Sequence, residues 1–276
     1  MSFRRTAVAT PAELPVWGRT KLLALLVGAA VVLVVLVAGL VLAVVYAMAP
    51  GDTAEGPAGP EPSARADRGH SGAGDRQDAL AAEPMPPAGV DDALPGPVSI
   101  RDPGVIELPR ATGVGPADVP TGFPRTPQGA LAQLASIDVT AMQTGSLDGV
   151  RQVIDSWAAP GGPTRETWSG ARGLADQLSS AGLSGAGSPQ LAIVVRPAMG
   201  LIKGTVGPDF AVVCVDLEFT VTVEVTSRIA IADCQRMTWA GDRWLIGPGP
   251  EPARAPSVWP GTDLAIEVGY QDLRYV

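Results

Sequence analysis

From Leu22 to Ala49 the chain is apolar without interruption, with no charge, no amide and no proline until Pro50. As a helix rising about 1.5 Å per residue, the run extends roughly 40 Å, more than the ~30 Å hydrocarbon core of a bilayer. It predicts a single transmembrane helix over residues 22–49, with membrane lipid as the partner of that segment. Arg4, Arg5, Arg19 and Lys21 precede it against one acid, Glu13, whereas Asp52 and Glu55 come after it and the next base is Arg65. Basic flanks stay in the cytoplasm. Residues 1–21 are therefore expected as a cytoplasmic tail, and everything beyond Pro50 as extracytoplasmic, at a cell membrane crossed once. Trp17 and Tyr46 stand near the two interfaces, where aromatic rings are favoured. The rival is a cleaved signal peptide, for which Ala47-Met48-Ala49 matches an A-x-A site. A signal h-region, however, is about 7–15 residues, and Pro50 after the scissile bond, with fixed φ and no N–H, makes an awkward substrate. The run reads as a retained anchor.

Beyond the anchor the chain changes character once. Residues 50–120 are dominated by Gly, Pro, Ala, Asp and Glu, with recurring Gly-Pro pairs (Gly56-Pro57, Gly59-Pro60, Gly96-Pro97). Such a composition buries too little apolar surface to offset its ordering entropy, and predicts a disordered extracytoplasmic linker. Its one apolar stretch, Val98–Leu108, can dock on a domain as an extended strand. His70, the only histidine, falls in this linker and is expected to ligate nothing. Residues 121–276 are then one domain, long enough for a real core. The net charge of −8 comes with no basic patch beyond the first 21 residues, which argues against direct nucleic-acid binding. Of 20 basic residues only Lys21 and Lys203 are lysine, the codon signature of a GC-rich genome such as an actinobacterium's.

Within 121–276 the hydrophobic period is helical first. Thr126-Pro127 makes an N-cap and first turn, with Leu131, Leu134, Ile137 or Asp138, and Met142 at helical spacing up to Gly145. Leu147, Val150, Ile154 and Trp157 form a second stripe that Pro160-Gly161-Gly162-Pro163 stops. Thr164 is expected to cap a third helix that turns Trp168, Ala171, Leu174 and Leu178 inward. From Gln190 the period becomes two. Strands are predicted at Leu191–Val195 and Leu201–Val206 about a turn at Pro197–Gly200, at Phe210–Val225, at Arg228–Trp239, and at Arg243–Ile246 after a tight turn at Ala240-Gly241-Asp242. A short helix capped by Thr262 is expected within Thr262–Leu273. Helices segregated from a meandering antiparallel sheet give an α+β fold, with the sheet curved around the helical layer because strands of this length do not stay flat.

The odd residues of Phe210–Val225 are apolar and its even ones include Asp216, Glu218 and Glu224, so one face is core and the other meets water or a partner. Asp216, Glu218 and Glu224, with Trp259 of the proline-flanked Val258-Trp259-Pro260, are the candidate partner-binding face. Cys214 and Cys234 lie on the two arms of a hairpin that turns near Glu224, both at even positions. In an oxidising compartment they can pair and close a loop worth ~3 kcal/mol; the alternative is two thiols offset by a bulge. The domain has no histidine, no nucleophile motif and no ligand cluster, so no catalytic residue, cofactor or metal is expected.

A tail, one helix, a tether and an α+β domain ending in Met237-Thr238-Trp239-Ala240-Gly241-Asp242-Arg243-Trp244-Leu245-Ile246 resembles, over about residues 124–250, the nuclear-transport-factor-two-like (cystatin-like) domains. Among bitopic members it is similar to the inner-membrane assembly factor of type IV secretion systems and its Gram-positive conjugation counterparts. The resemblance implies a cone of curved sheet over helices, and a non-enzymatic scaffold of a cell-envelope complex, engaged in conjugative DNA transfer, that associates with itself and with other envelope proteins. Enzymes of that superfamily place Asp, Tyr or His inside the cone, and the apolar odd face of the best strand speaks against one here. The alternative is an extracytoplasmic binding module for a small apolar ligand or lipid.

Overall fold

A computed structural model describes residues 68–180 and 182–276. The predicted cytoplasmic tail, the run Leu22–Ala49 and the first part of the predicted linker lie outside the described residues. Among those described, no helix is long and apolar enough to cross a membrane.

Three helices succeed one another much as their stripes predict. Helix α2 (Pro127–Gln143) starts at Thr126, whose side chain accepts from the Gly129 N–H at 3.0 Å. Ser146 caps α3 (Leu147–Trp157) in the same way through Gly149. Thr164 caps only a turn, in which its side chain accepts from the Glu166 and Thr167 N–H groups, and α4 begins five residues later at Ser169–Ser180. Trp157 and Trp244 are buried, and each indole N–H finds a carbonyl, Pro116 at 3.0 Å and Pro124 at 2.9 Å. Buried tryptophan needs such a partner.

A six-stranded sheet takes the order β1-β8-β4-β5-β6-β7, with β1 at Val105–Leu108, β4 at Ala192–Thr205, β5 at Phe210–Thr222, β6 at Thr226–Trp239, β7 at Trp244–Ile246 and β8 at Gln271–Tyr275. A separate two-stranded ladder pairs β2 (Gly113–Val114) with β3 (Pro120–Thr121). Helix α2 lies across the large sheet and touches β1, β4, β5, β6 and β7. The main core sits between them, filled by Leu131, Leu134, Ile137, Val213, Val215, Leu217 and Met237 among others. The α+β class is as expected, but the sheet is mixed rather than wholly antiparallel, because β1 runs parallel to β8. The short C-terminal helix α5 (Asp263–Val268) has its Thr262 cap and ends at Gly269, whose φ of 98° is the left-handed geometry glycine tolerates.

Three expectations are overturned. Residues 68–120 are not a disordered linker. They carry α1 (Arg68–Ala82), a short 3-10 turn at Asp91–Ala93, and β1, β2 and β3. Sparse apolar residues do the work that average composition hides: Ala81, Ala93, Ile106, Leu108 and Val119 are all buried, each against a downstream element. His70 falls within α1. Second, no turn interrupts 191–206. Pro197–Gly200 forms an irregularity inside one continuous β4, with register shifts at Pro197/Met199 and Ile202/Gly204. On its other side β4 meets β8 only at Met199 and Gly200, so Pro197 has no second ladder to which an N–H would have to donate.

Third, the even face of β5 is not open over most of its length. Every residue from Phe210 to Phe219 is buried, because the chain covers that face itself. Helix α1 packs Ala81 on Phe210 and Val212. The C-terminal segment lays Ala255, Val258, Ala265, Val268 and Tyr270 over Met199, Cys214 and Cys234. Lys203 fastens the end of α1 by donating to the Ala81 and Glu83 carbonyls, and Arg236 pairs with Asp78 at 2.7 Å.

Candidate functional site

The helix side of the sheet does not close completely. A cleft of about 430 Å³ opens between α4, the β5–β6 hairpin and the segment Glu251–Ser257. Its walls are largely apolar, with Met142, Leu174, Leu217, Phe219 and Ile231 along them. Gly170 and Gly173 of α4 add side-chain-free backbone to the lining.

At one end the walls turn acidic. Asp138 comes from α2 and Asp233 from β6, where it stands opposite Val215 on the helix-facing side. Gln235, two residues on and buried, donates to both Asp233 oxygens at 2.9 and 3.1 Å. Ser169, the first residue of α4, donates its hydroxyl to Asp233 at 3.4 Å and to Glu251 at 3.1 Å, and its N–H to Glu251 at 2.8 Å. Glu251 thereby caps the α4 N-terminus, where an anion is favoured, and also meets Arg172 at 3.4 Å.

Asp138 is fully buried and neither of its oxygens meets a donor. Its polar neighbour is Asp233. Burial pushes the Asp138 carboxyl well above its ordinary range, and the adjacent charge and hydrogen bond of Asp233 push the same way. Asp233 is pushed up to about 6. Burial is the main cause and the Glu251 charge adds to it, against the bonds from Gln235, Trp168 and Ser169. Two adjoining carboxyls in such a place share one proton. Both carboxyls are raised, Asp138 well above its ordinary range and Asp233 to about 6, so the pair keeps a proton where isolated aspartates have lost theirs. The pair can donate to a ligand, accept from it, or neutralise a positive group. Among the described residues no three side chains of the types that ligate metals are grouped to hold an ion.

The residues singled out in the sequence lie elsewhere. Cys214 and Cys234 are paired across β5 and β6 and joined by a disulfide, Cα to Cα 4.0 Å, under the C-terminal segment. Asp216, Glu218, Glu224 and Trp259 do not share one exposed face. Asp216 is buried beneath Val258 and Tyr270, and burial pushes its carboxyl well above the usual range. Burial also pushes Glu218 up, but hydrogen bonds and charge from Arg196 and Arg228 outweigh it and hold the carboxyl below its usual range. Trp259 is buried against Ala93 and Ala230, with the Arg228 guanidinium 4.8 Å from its ring centre. Glu224 alone is exposed, in the β5–β6 turn. The carboxyls that do converge left a faint signal: Ile229, Ile231, Asp233, Gln235, Met237 is an apolar alternation interrupted by two polar residues, and Asp138 shares the inward stripe of α2. The odd face of β5 is apolar, as its pattern predicts, but the neighbouring strand and the helix bring the acids.

No family model matches the chain, and no curated protein or solved structure matches it.

Proposed function

We propose that this is a membrane-anchored binding protein: residues 22–49 cross the membrane, the N-terminus is cytoplasmic, and the extracytoplasmic α+β domain holds a small, mostly apolar ligand without turning it over. The observation that carries the proposal is the cleft. Its volume of about 430 Å³ falls within the ~300–1,000 Å³ of small-molecule sites, and apolar walls with a few convergent polar groups are how such sites are built. The only two cysteines are tied up with each other and the only histidine is in α1. This supports binding over nucleophilic chemistry.

The envelope-scaffold reading, with a role in conjugative DNA transfer and a cystatin-like cone, stands as the second proposal. It draws on the Met237–Ile246 likeness and on one structural observation. Strand β1 is an edge of the large sheet, and Val98, Ile100 and Val105 on and before it are exposed, a place where a partner strand can add. Native mass spectrometry of the full chain released from detergent separates the two. A persistent small bound mass, lost on denaturation, is expected for the binding protein. A ligand-free oligomer, or co-recovered envelope proteins, would displace it in favour of the scaffold.

A further inference from the structure

We propose that the cleft selects an organic cation, a protonated amine on an apolar body, with the nitrogen seated against Asp138 and Asp233. The inference rests on the cleft being a ligand site. Asp138 supplies the first ground: fully buried, lining the cleft, with no donor at either oxygen. The proton shared with Asp233 gives Asp138 an acceptor but no donor, and an ammonium N–H is the kind of donor missing there. The balance of charge supplies the second. Asp138 and Asp233 are joined along the lining by Asp176 of α4 and by Glu251, against Arg172 and Arg254, and Arg172 is already held by Glu251. The surplus is negative, which turns away a carboxylate or phosphate and attracts a cation. The apolar walls supply the third. They take a hydrocarbon body and keep out the water that would screen an ion pair.

Such a ligand competes with the shared proton. With Asp233 at about 6, a cation is drawn to the pair once Asp233 is ionised. Its affinity falls about tenfold for each pH unit below that value, because binding then requires a proton to leave.

The test uses the full chain in lipid nanodiscs and three water-soluble probes of matched size, 2-phenylethylamine, 2-phenylethanol and 3-phenylpropanoate. Binding is titrated by ligand-observed NMR against empty nanodiscs. At pH 8 the amine is expected to bind about tenfold or more tighter than the alcohol, with the carboxylate weakest. At pH 5 the amine's advantage disappears while the alcohol is unchanged. Asp233→Asn brings the amine down to the level of the alcohol, and the wild-type pH profile tests the same point if that variant does not fold. Equal binding of amine and alcohol at pH 8, or an amine affinity indifferent to both pH and Asp233→Asn, overturns the cation seat and leaves the cleft as a ligand site. Absence of binding by all three probes overturns both.

Discussion

A carboxyl group buried beside another carboxyl must either keep a proton or find a cation, and this choice gives single residues of the domain measurable signatures. The folded-state values of Asp138 and Asp233 are both raised. The folded protein therefore binds more protons than the unfolded one above the usual aspartate range, and stability falls as pH rises from about 4 through about 6 and onward. Asp138→Asn keeps the shape, removes the titration and lets an amide N–H donate to Asp233. At pH 7.5 the variant is expected to be more stable than the wild type by about 1–3 kcal/mol, with the difference shrinking toward pH 4.5. Paired thermal melts at the two pH values measure this, and a loss of stability at both would refute a protonated Asp138. Glu218 has the opposite sign. Held low by Arg196 and Arg228, it contributes stability above the ordinary glutamate range that is lost as pH falls through its depressed value. Glu218→Gln should cost ~1–3 kcal/mol near neutrality and progressively less as pH falls below the ordinary glutamate range. It should also loosen Trp259, whose ring Arg228 covers, visible as a red-shifted tryptophan emission.

Among the elements, the edge formed by β1 and β8 decides where the domain begins. Ile106 and Leu108 are buried in the main core from β1, and Val119 from the segment just before β3. A fragment starting at residue 121 loses all three, at roughly 1.5–3 kcal/mol each, against a total stability of about 5–15 kcal/mol. Such a fragment should show no cooperative melt, while one starting at residue 68 should melt in a single transition; circular dichroism against temperature distinguishes them. Val98–Leu108 could be read as a strand able to dock, and β1 forms within it, but its partner could not be read, for a physical reason. A parallel pair between Val105–Leu108 and Gln271–Tyr275 joins segments too far apart for any local pattern to record, and one of them sits in a proline-rich background. The helices could be read because capping is local: Thr126 with Pro127, Thr262, the stripe ending at Trp157. Pro197 and Gly200 were misleading for the same reason, since a bulge in β4 and a turn share their chemistry. The even face of β5 looked solvated because Asp216 and Glu218 are polar. Only the distant segments that fold over them, α1 and Ala255–Tyr270, decide otherwise.

For the molecule as a whole, the proposed anchor, its flanking charge and the disulfide make linked claims about which side of a membrane the domain would occupy. Under the proposed topology, the four bases that precede Leu22–Ala49 send the domain outward by the positive-inside tendency. Cys214 and Cys234 are paired, and disulfides persist where thiols are not kept reduced. The bridge closes a separation of 20 residues, worth ~3 kcal/mol by loop-closure entropy, and it lies under Ala255, Val258 and Tyr270. Because the chain has only two cysteines, a thiol trap reads orientation without ambiguity. Cells are quenched in acid, denatured, and treated with a polyethylene-glycol maleimide before and after reduction. An outward domain gives no adduct before reduction and a two-adduct shift after it. A two-adduct shift without reductant would place the domain in a reducing compartment, reverse the orientation drawn from Arg4, Arg5, Arg19 and Lys21, and require any ligand of the cleft to be a cytoplasmic one.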